Sequence, residues 1–235
     1  MLFLVLIKMR LFVEPFLRGG FGVELIYSFV IIVCSLMVYF GTKELYGLSS
    51  HKGIKYFRQA FLFFAIAYFF RSLIKFLLIF FNVRAIFDFS PRAFGILTLF
   101  LFMYFSSMAV FYLLYSVMWK KWDGNSKKVY LFHLLALVIA FGSTISMNLQ
   151  LRLGLNIFLF IFVAFVVYIA YKNSREKKKG YNLYVIYTLL FAFWILNILD
   201  ILIPNFLQTF QLFIYLASSG IFLLILYKVL KKTGS

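Results

Sequence analysis

Apolar positions dominate the chain in long uninterrupted runs, and the charged residues collect in short stretches between them. The stretch 52–81 shows this layout most clearly. Its polar start leads into an apolar run from Ala60 to Phe70, and Arg71 and Lys75 follow one helical turn apart. A surface helix of a soluble protein would carry one polar face along this length, and none is present. The pattern predicts a membrane-spanning helix with a basic foot in water and two cations near its far end.

The other apolar runs have similar lengths, and together they predict an all-α bundle of seven transmembrane helices. About 20 residues suffice to cross roughly 30 Å of hydrocarbon at 1.5 Å per residue. The predicted spans are 23–40, 54–81, 92–119, 129–147, 153–171, 181–203 and 206–228. The connections are too short to contain a soluble domain, so residues 21–235 are predicted to form one transmembrane bundle.

The first twenty residues differ from these runs. Their apolar stretch is short and is interrupted by Lys8 and Arg10, and Pro15 follows. This pattern favours a helix that lies on the bilayer surface, so residues 1–20 are expected to be an interfacial segment. The charges follow the apolar start instead of preceding it, so no signal peptide is expected, and Met9 is a second possible start.

Composition agrees with a membrane protein, because 65% of the residues are hydrophobic and the formal net charge is +17. The basic residues are concentrated in alternate loops, which indicates orientation against an anionic inner leaflet and no nucleic-acid partner. The richer set of loops is expected to be cytoplasmic, with the N-terminus outside and the C-terminus inside the cell. The richer set holds Lys43, Lys52, Lys55, Arg58, Lys120, Lys121, Lys127, Lys128, Lys172, Arg175, Lys177, Lys178, Lys179, Lys228, Lys231 and Lys232.

Polar residues within the spans are the candidates for function, because an ionisable group in a membrane is costly unless it is used. Counting from Lys55 places Arg71 about 24 Å along its helix, and counting from Tyr181 places Asn197 about 24 Å and Asp200 about 28 Å along theirs. All three therefore reach the outer half of the bilayer. The predicted ligand-binding residues are Arg71, Lys75, Asn197, Asp200, Gln208, Gln211 and Tyr215.

If the faces that carry these residues point inward, they form a polar and net basic pocket that opens to the outside. Asp200 or Glu24 would pair with Arg71 there. The alternative is that these residues sit at the interface and only tie helices together. The ligand-binding interpretation predicts that Arg71→Leu folds normally and loses its response or transport activity.

The remaining chemistry-bearing residues give little support to an enzyme. Cys34 is alone, and His51 and His133 lie far apart in the sequence without neighbouring carboxylates, so no metal site is predicted. No hydrolase, phosphate-binding or zinc motif is present, and no cofactor is expected. The abundant phenylalanines are expected to face lipid.

The segment 41–70, GTKELYGLSSHKGIKYFRQAFLFFAIAYFF, resembles a pattern in uncharacterised prokaryotic, archaeal-type, seven-span membrane proteins. There a basic loop after the first span leads through K-x-Y-F into an aromatic second span. The overall layout also resembles the seven-span sensor modules of histidine kinases. No kinase follows in this sequence, so that resemblance implies a separate signalling partner in the cytoplasm.

Two functional hypotheses follow. The first is a receptor-like or scaffold membrane protein that binds a small ligand or partner in its outer half and couples through its basic loops. The alternative is a small transporter or channel with a basic vestibule that contains Arg71.

Overall fold

The computed structural model describes residues 21–80, 91–122, 127–145, 149–177, 181–202 and 208–233, and these residues are helical apart from short turns. The helices are α1 (Phe21–Gly41), α2 (Lys43–Ser49), α3 (Lys52–Phe80), α4 (Pro91–Trp122), α5 (Lys127–Ile145), α6 (Leu149–Lys177), α7 (Tyr181–Leu202) and α8 (Gln208–Thr233). The all-α prediction is confirmed. The interfacial segment expected over residues 1–20 lies outside the described residues.

Each predicted span coincides with one long helix, and the ends differ by a few residues. The largest difference is in α6, which continues through a polar stretch to Lys177. The short helix α2 lies where the sequence predicted only a loop. Six helices of the described chain are long and apolar enough to cross a membrane, namely α1 and α4 to α8. This is the architecture of a polytopic all-α membrane protein. The side chains of α3 from Ile74 onward lie outside the described residues.

The polarity of α1 shows what surrounds the bundle. Its polar residues Glu24, Ser28 and Ser35 are buried, whereas Phe29 and Phe40 are 66% and 61% exposed. A helix in water has the opposite arrangement, with its polar side outward. Exposed side chains of this kind are stable where the surroundings are hydrocarbon, as in a bilayer.

Six of the long helices form a closed ring in the order α1, α3, α4, α6, α7 and α8, and α8 packs back against α1. Helix α5 lies outside this ring, against α4 and α6. Its small residues Ala136 and Ala140 are fully buried, and the hydroxyls of Ser143 and Thr144 donate to the Ala140 carbonyl. Small residues therefore allow close packing here, as is usual between membrane helices.

Phenylalanine occupies both the inside and the outside of the ring, so the expectation that these side chains face lipid holds only for the exposed ones, such as Phe29 and Phe213. On α3 the buried stripe consists of Phe57, Phe61, Phe64 and Tyr68, at alternating intervals of four and three residues. This spacing keeps one face of the helix toward the core. The same stripe continues to Arg71 and so directs that side chain inward.

Candidate functional site

Arg71 forms ion pairs with carboxylates from two other helices. Its Nε donates to Glu24 Oε1 on α1 at 3.3 Å, and its Nη2 donates to Asp200 Oδ2 on α7 at 3.0 Å. The side chains of Arg71, Glu24 and Asp200 are only 18%, 11% and 12% exposed. We call these three residues the ion triad. Because charges in such surroundings are strongly destabilised when they lose a partner, the triad ties α1, α3 and α7 together.

An aromatic shell surrounds the guanidinium of Arg71. Its Cζ lies 5.7 Å from the ring centroids of Tyr27, Tyr68 and Phe102, which come from α1, α3 and α4. Each ring is within the range of a cation–π interaction. The shell therefore holds the guanidinium in place from the sides that the carboxylates leave open.

Two tyrosines and an asparagine form a directed chain of hydrogen bonds beside the triad. The Tyr68 hydroxyl donates to Asn197 Oδ1 at 2.9 Å, and the hydroxyls of Tyr27 and Tyr68 lie 2.9 Å apart. A tyrosine has one proton to donate, so Tyr27 must donate to Tyr68. Asn197 Nδ2 donates in turn to the Phe193 carbonyl of its own helix. The chain fixes the side chains of α1, α3 and α7 relative to one another.

Tyr215 brings a fifth helix, α8, to the same place. Its ring stacks on Tyr27, with centroids 4.7 Å apart and an angle of 20° between the planes. Its hydroxyl lies close to both carboxylates of the ion triad, and it interacts with Asp200 by a hydrogen bond as well as by charge. Asp200 Oδ1 is a buried atom without a hydrogen-bond partner of full geometry in the described part of the chain. Since buried acceptors are nearly always satisfied, the Tyr215 hydroxyl is one candidate donor for this carboxylate and a bound ligand is another.

The structure brings together four of the seven residues that the sequence predicted, namely Arg71, Asn197, Asp200 and Tyr215. Gln211 is half-buried one turn before Tyr215 and makes no hydrogen bond within the described residues. The side chains of Lys75 and Gln208 lie outside the described residues. The predicted pairing of Arg71 is present and involves both carboxylates.

The net charge of the predicted pocket stays a prediction. The ion triad joins one guanidinium to two carboxylates, and the side chain of Lys75, the second predicted cation, lies outside the described residues.

The aromatic shell is the part of the site that sequence reasoning missed. Tyr27 follows Glu24 by three positions, and Tyr68 precedes Arg71 by three. Residues three apart share a helix face, so a tyrosine on the same face as Glu24 and another on the same face as Arg71 were usable signals. Phe102 gave no such signal, because only the packing of α4 against α3 brings it to Arg71.

A block of phenylalanines closes the space beneath the site. Phe61, Phe64, Phe193 and Phe222 are almost completely buried, and the centroids of the rings in contact lie between 4.7 Å (Phe193 to Phe222) and 6.4 Å (Phe61 to Phe222) apart. Phe64 precedes Arg71 by seven residues and Phe193 precedes Asp200 by seven, which places the block about 10 Å from the triad. We call these four residues the phenylalanine block.

The two histidines lie apart from the triad and from each other. His133 Nδ1 is 2.8 Å from the Tyr104 hydroxyl, and the His51 ring packs edge-on against Trp119. Tyr104 and Trp119 are about 22 Å apart along α4. Within the described residues no three ligands of the His, Cys, Asp and Glu types come together.

Comparison with known proteins places the chain beside an archaeal relative. No family model matches it. A protein of Archaeoglobus fulgidus, described as an uncharacterized protein, is 31% identical over 220 residues, which cover 89% of this chain and 92% of the relative. Identity at this level over nearly the whole length of both chains agrees with the archaeal resemblance noted in the segment 41–70. The chain therefore belongs to the same family as this archaeal protein.

Proposed function

We propose that the chain is a receptor-like integral membrane protein that binds a small ligand in its outer half, at the ion triad. The observation that carries this proposal is the position of Arg71, whose side chain is only 18% exposed and lies between carboxylates from two other helices. Polar groups at this depth are costly, and membrane proteins keep them mainly at sites of binding or transport. A merely structural tie between helices would not need two carboxylates for one guanidinium.

The proposal includes seven spans, with α3 as the seventh. Helix α3 is 29 residues long, about 43 Å, and it packs between α1 and α4 in the ring. The lysine-rich ends of the helices would face the cytoplasm, with the N-terminus outside. In this orientation the ion triad lies toward the outer surface and the phenylalanine block lies on its cytoplasmic side.

The ligand is proposed to carry a hydrogen-bond donor, such as a hydroxyl or a protonated amine, that satisfies Asp200 Oδ1. A donor at this oxygen competes with Arg71 for the carboxylate and weakens the tie between α3 and α7. A ligand shifts a conformational equilibrium by its difference in affinity for the two states. The resulting movement of α7 would change its cytoplasmic end, next to the basic segment 172–179, where a signalling partner is proposed to bind.

A transporter or channel is the second candidate, and a different set of atoms favours it. The hydroxyls of Ser28, Ser35 and Ser218 are buried without a hydrogen-bond partner in the described chain. Serines elsewhere in the bundle, such as Ser107 and Ser116, donate to their own helix. Buried unsatisfied hydroxyls are usual where water enters, so α1 and α8 could border a hydrated path. The phenylalanine block argues against a path that is open in this conformation.

One reconstituted preparation tests both candidates. Thermal unfolding of the purified protein is measured with a panel of small amines and polyols, for the wild type and for Asp200→Asn. A receptor predicts that at least one compound raises the unfolding temperature of the wild type and fails to do so in Asp200→Asn. Asp200→Asn keeps the size of the side chain, and Arg175→Gln, at an exposed position at the opposite end of the bundle, serves as the control.

Flux measurements in proteoliposomes separate the two mechanisms. A receptor predicts no movement of protons, monovalent cations or the stabilising compound. Flux that the wild type shows and that disappears in Asp200→Asn would contradict the receptor hypothesis and support the transporter hypothesis. If no compound stabilises the protein and no flux occurs, the proposed ligand site is wrong. Cross-linking from the basic segment 172–179 in intact cells tests the signalling partner.

A further inference from the structure

Arg58 is held in a fixed orientation at the lysine-rich end of the bundle. Its Nε donates to the Tyr39 carbonyl in the last turn of α1 at 3.0 Å. Its Cζ lies 4.8 Å from the ring centroid of Tyr39 and 5.8 Å from that of Tyr46 on α2. We call Arg58, Tyr39 and Tyr46 the Arg58 clamp. A carbonyl in the last helical turn has no N–H donor within the helix, so Arg58 also caps α1, together with the Thr42 hydroxyl, which donates to the same Tyr39 carbonyl at 3.4 Å.

The clamp leaves the far edge of the guanidinium unused. The two Nη atoms of Arg58 donate no hydrogen bond within the described residues, and neither is among the buried unsatisfied atoms. Arg58 is half-buried, and its two Nη atoms carry four N–H donors in one plane. An arginine that only capped α1 would not need this edge to be open and oriented.

Two lysines extend the positive charge around this edge. Lys55 precedes Arg58 by three positions on α3, and Lys43 precedes Tyr46 by three positions on α2. Residues three apart share a helix face, so both ammonium groups lie on the faces that meet at the clamp. Both lysines are exposed. Glu44 is also on α2, and it forms no ion pair with these cations in the described chain.

We propose that the Arg58 clamp, with Lys43 and Lys55, binds a phosphate group, and that an anionic membrane lipid supplies it. A planar guanidinium edge with flanking ammonium groups matches the oxygen atoms of a phosphate. The clamp lies at the start of α3, where Lys55 and Tyr56 mark the level of the lipid headgroups. A bound phosphate joins α2 to α3 across the corner that α1 closes. The proposal does not depend on the ion triad, which lies at the other end of α3.

Lipid binding to the purified full chain in detergent tests the proposal, with phosphatidylglycerol as the anionic probe and phosphatidylcholine as the comparison. Native mass spectrometry measures the dissociation constant for each lipid. Arg58→Gln is expected to weaken phosphatidylglycerol binding by about tenfold, the effect of losing one charge-assisted hydrogen bond. Arg58→Lys keeps the charge and loses the planar edge, so it is also expected to weaken binding by several-fold.

The matched control is Arg175→Gln. Arg175 is exposed at the same end of the bundle, and its Cζ lies 5.4 Å from the Tyr171 ring centroid, but no backbone acceptor among the described residues orients it. Its removal is expected to change binding by less than about twofold, as for a screened surface charge. Equal losses in Arg58→Gln and Arg175→Gln, or equal affinity for the two lipids, would overturn the proposal.

Two further measurements complete the test. Inorganic pyrophosphate that binds without lipid, and that displaces phosphatidylglycerol, would identify a soluble phosphate as the ligand in place of a lipid. If Arg58→Gln unfolds, the double variant Lys43→Gln/Lys55→Gln leaves the clamp intact and should still bind phosphatidylglycerol several-fold more weakly. Unchanged binding in that folded double variant would refute the site.

Discussion

Replacement of Arg71 by leucine removes the guanidinium that contacts Glu24 at 3.3 Å and Asp200 at 3.0 Å. Sequence reasoning alone expected this variant to fold normally. The structure predicts a loss instead, because two nearly buried carboxylates are left close together without the cation between them. Breaking a buried ion pair from one side typically lowers the free energy of unfolding by about 3–5 kcal/mol. Since the Arg71 side chain is 18% exposed, we expect a loss at the lower end of this range, about 3 kcal/mol.

Neutralising the two carboxylates separates the contribution of unpaired charge to this loss of stability from the contribution of lost packing. The triple variant Glu24→Gln/Arg71→Leu/Asp200→Asn contains no unpaired charge from the ion triad, so it should recover at least half of the loss. Reversible unfolding in mixed micelles, followed by the fluorescence of the three tryptophans, measures all variants under one condition. Arg175→Leu removes an exposed arginine and should change the free energy of unfolding by less than about 0.5 kcal/mol.

Two results would refute this reasoning. If Arg71→Leu is as stable as the wild type, the ion triad does not hold the helices together. If the triple variant is no more stable than Arg71→Leu, the loss comes from the cation–π contacts and packing of Arg71, and the carboxylates are not its cause.

Four other variants give independent checks on the packing of the site and of the rest of the bundle. Tyr68→Phe breaks the hydroxyl chain while keeping the ring, and should lower the free energy of unfolding by about 1–2 kcal/mol, measured in the same micelles. Gly53→Ala places a methyl group 2.9 Å from the Ser116 carbonyl oxygen and should lower the free energy of unfolding by about 1–3 kcal/mol. Gly47→Ala places its methyl group where nothing lies within 4 Å, so it should be tolerated. Equal thermal stability of the two variants would contradict the close packing at Gly53. Phe193→Ala opens the phenylalanine block and should cost about 3–5 kcal/mol, and proteoliposomes of any folded fraction should leak protons if the block seals a hydrated path.

The level of the candidate site along the helices could be read from the sequence. Counting residues from Lys55 and from Tyr181 placed Arg71 and Asp200 within about one helical turn of each other. In the structure they are 3.0 Å apart. The count works because the rise of an α-helix is fixed and both helices begin at the same end of the bundle.

The sides of the helices that face inward could not be read with the same certainty. Helices α3 and α7 are apolar on nearly all sides, so periodicity does not identify a buried face as it does in a soluble protein. The phenylalanines illustrate the problem: Phe64 and Phe193 are buried, whereas Phe29 and Phe213 are exposed, and their chemistry is identical. Lipid and protein core are equally apolar, so hydrophobicity alone does not choose between them.

The sequence by itself determined the membrane class, the number of long helices and the level of the buried charges, because these depend on run length and on the fixed rise per residue. Only the tertiary structure decided that Arg71 meets two carboxylates instead of one, that Tyr27, Tyr68 and Phe102 enclose it, and that Arg58 is clamped with one edge open. The physical reason is that contacts between helices depend on their order in the ring and on their rotation. In a chain whose surface and core are both apolar, close packing and a few polar contacts set that rotation.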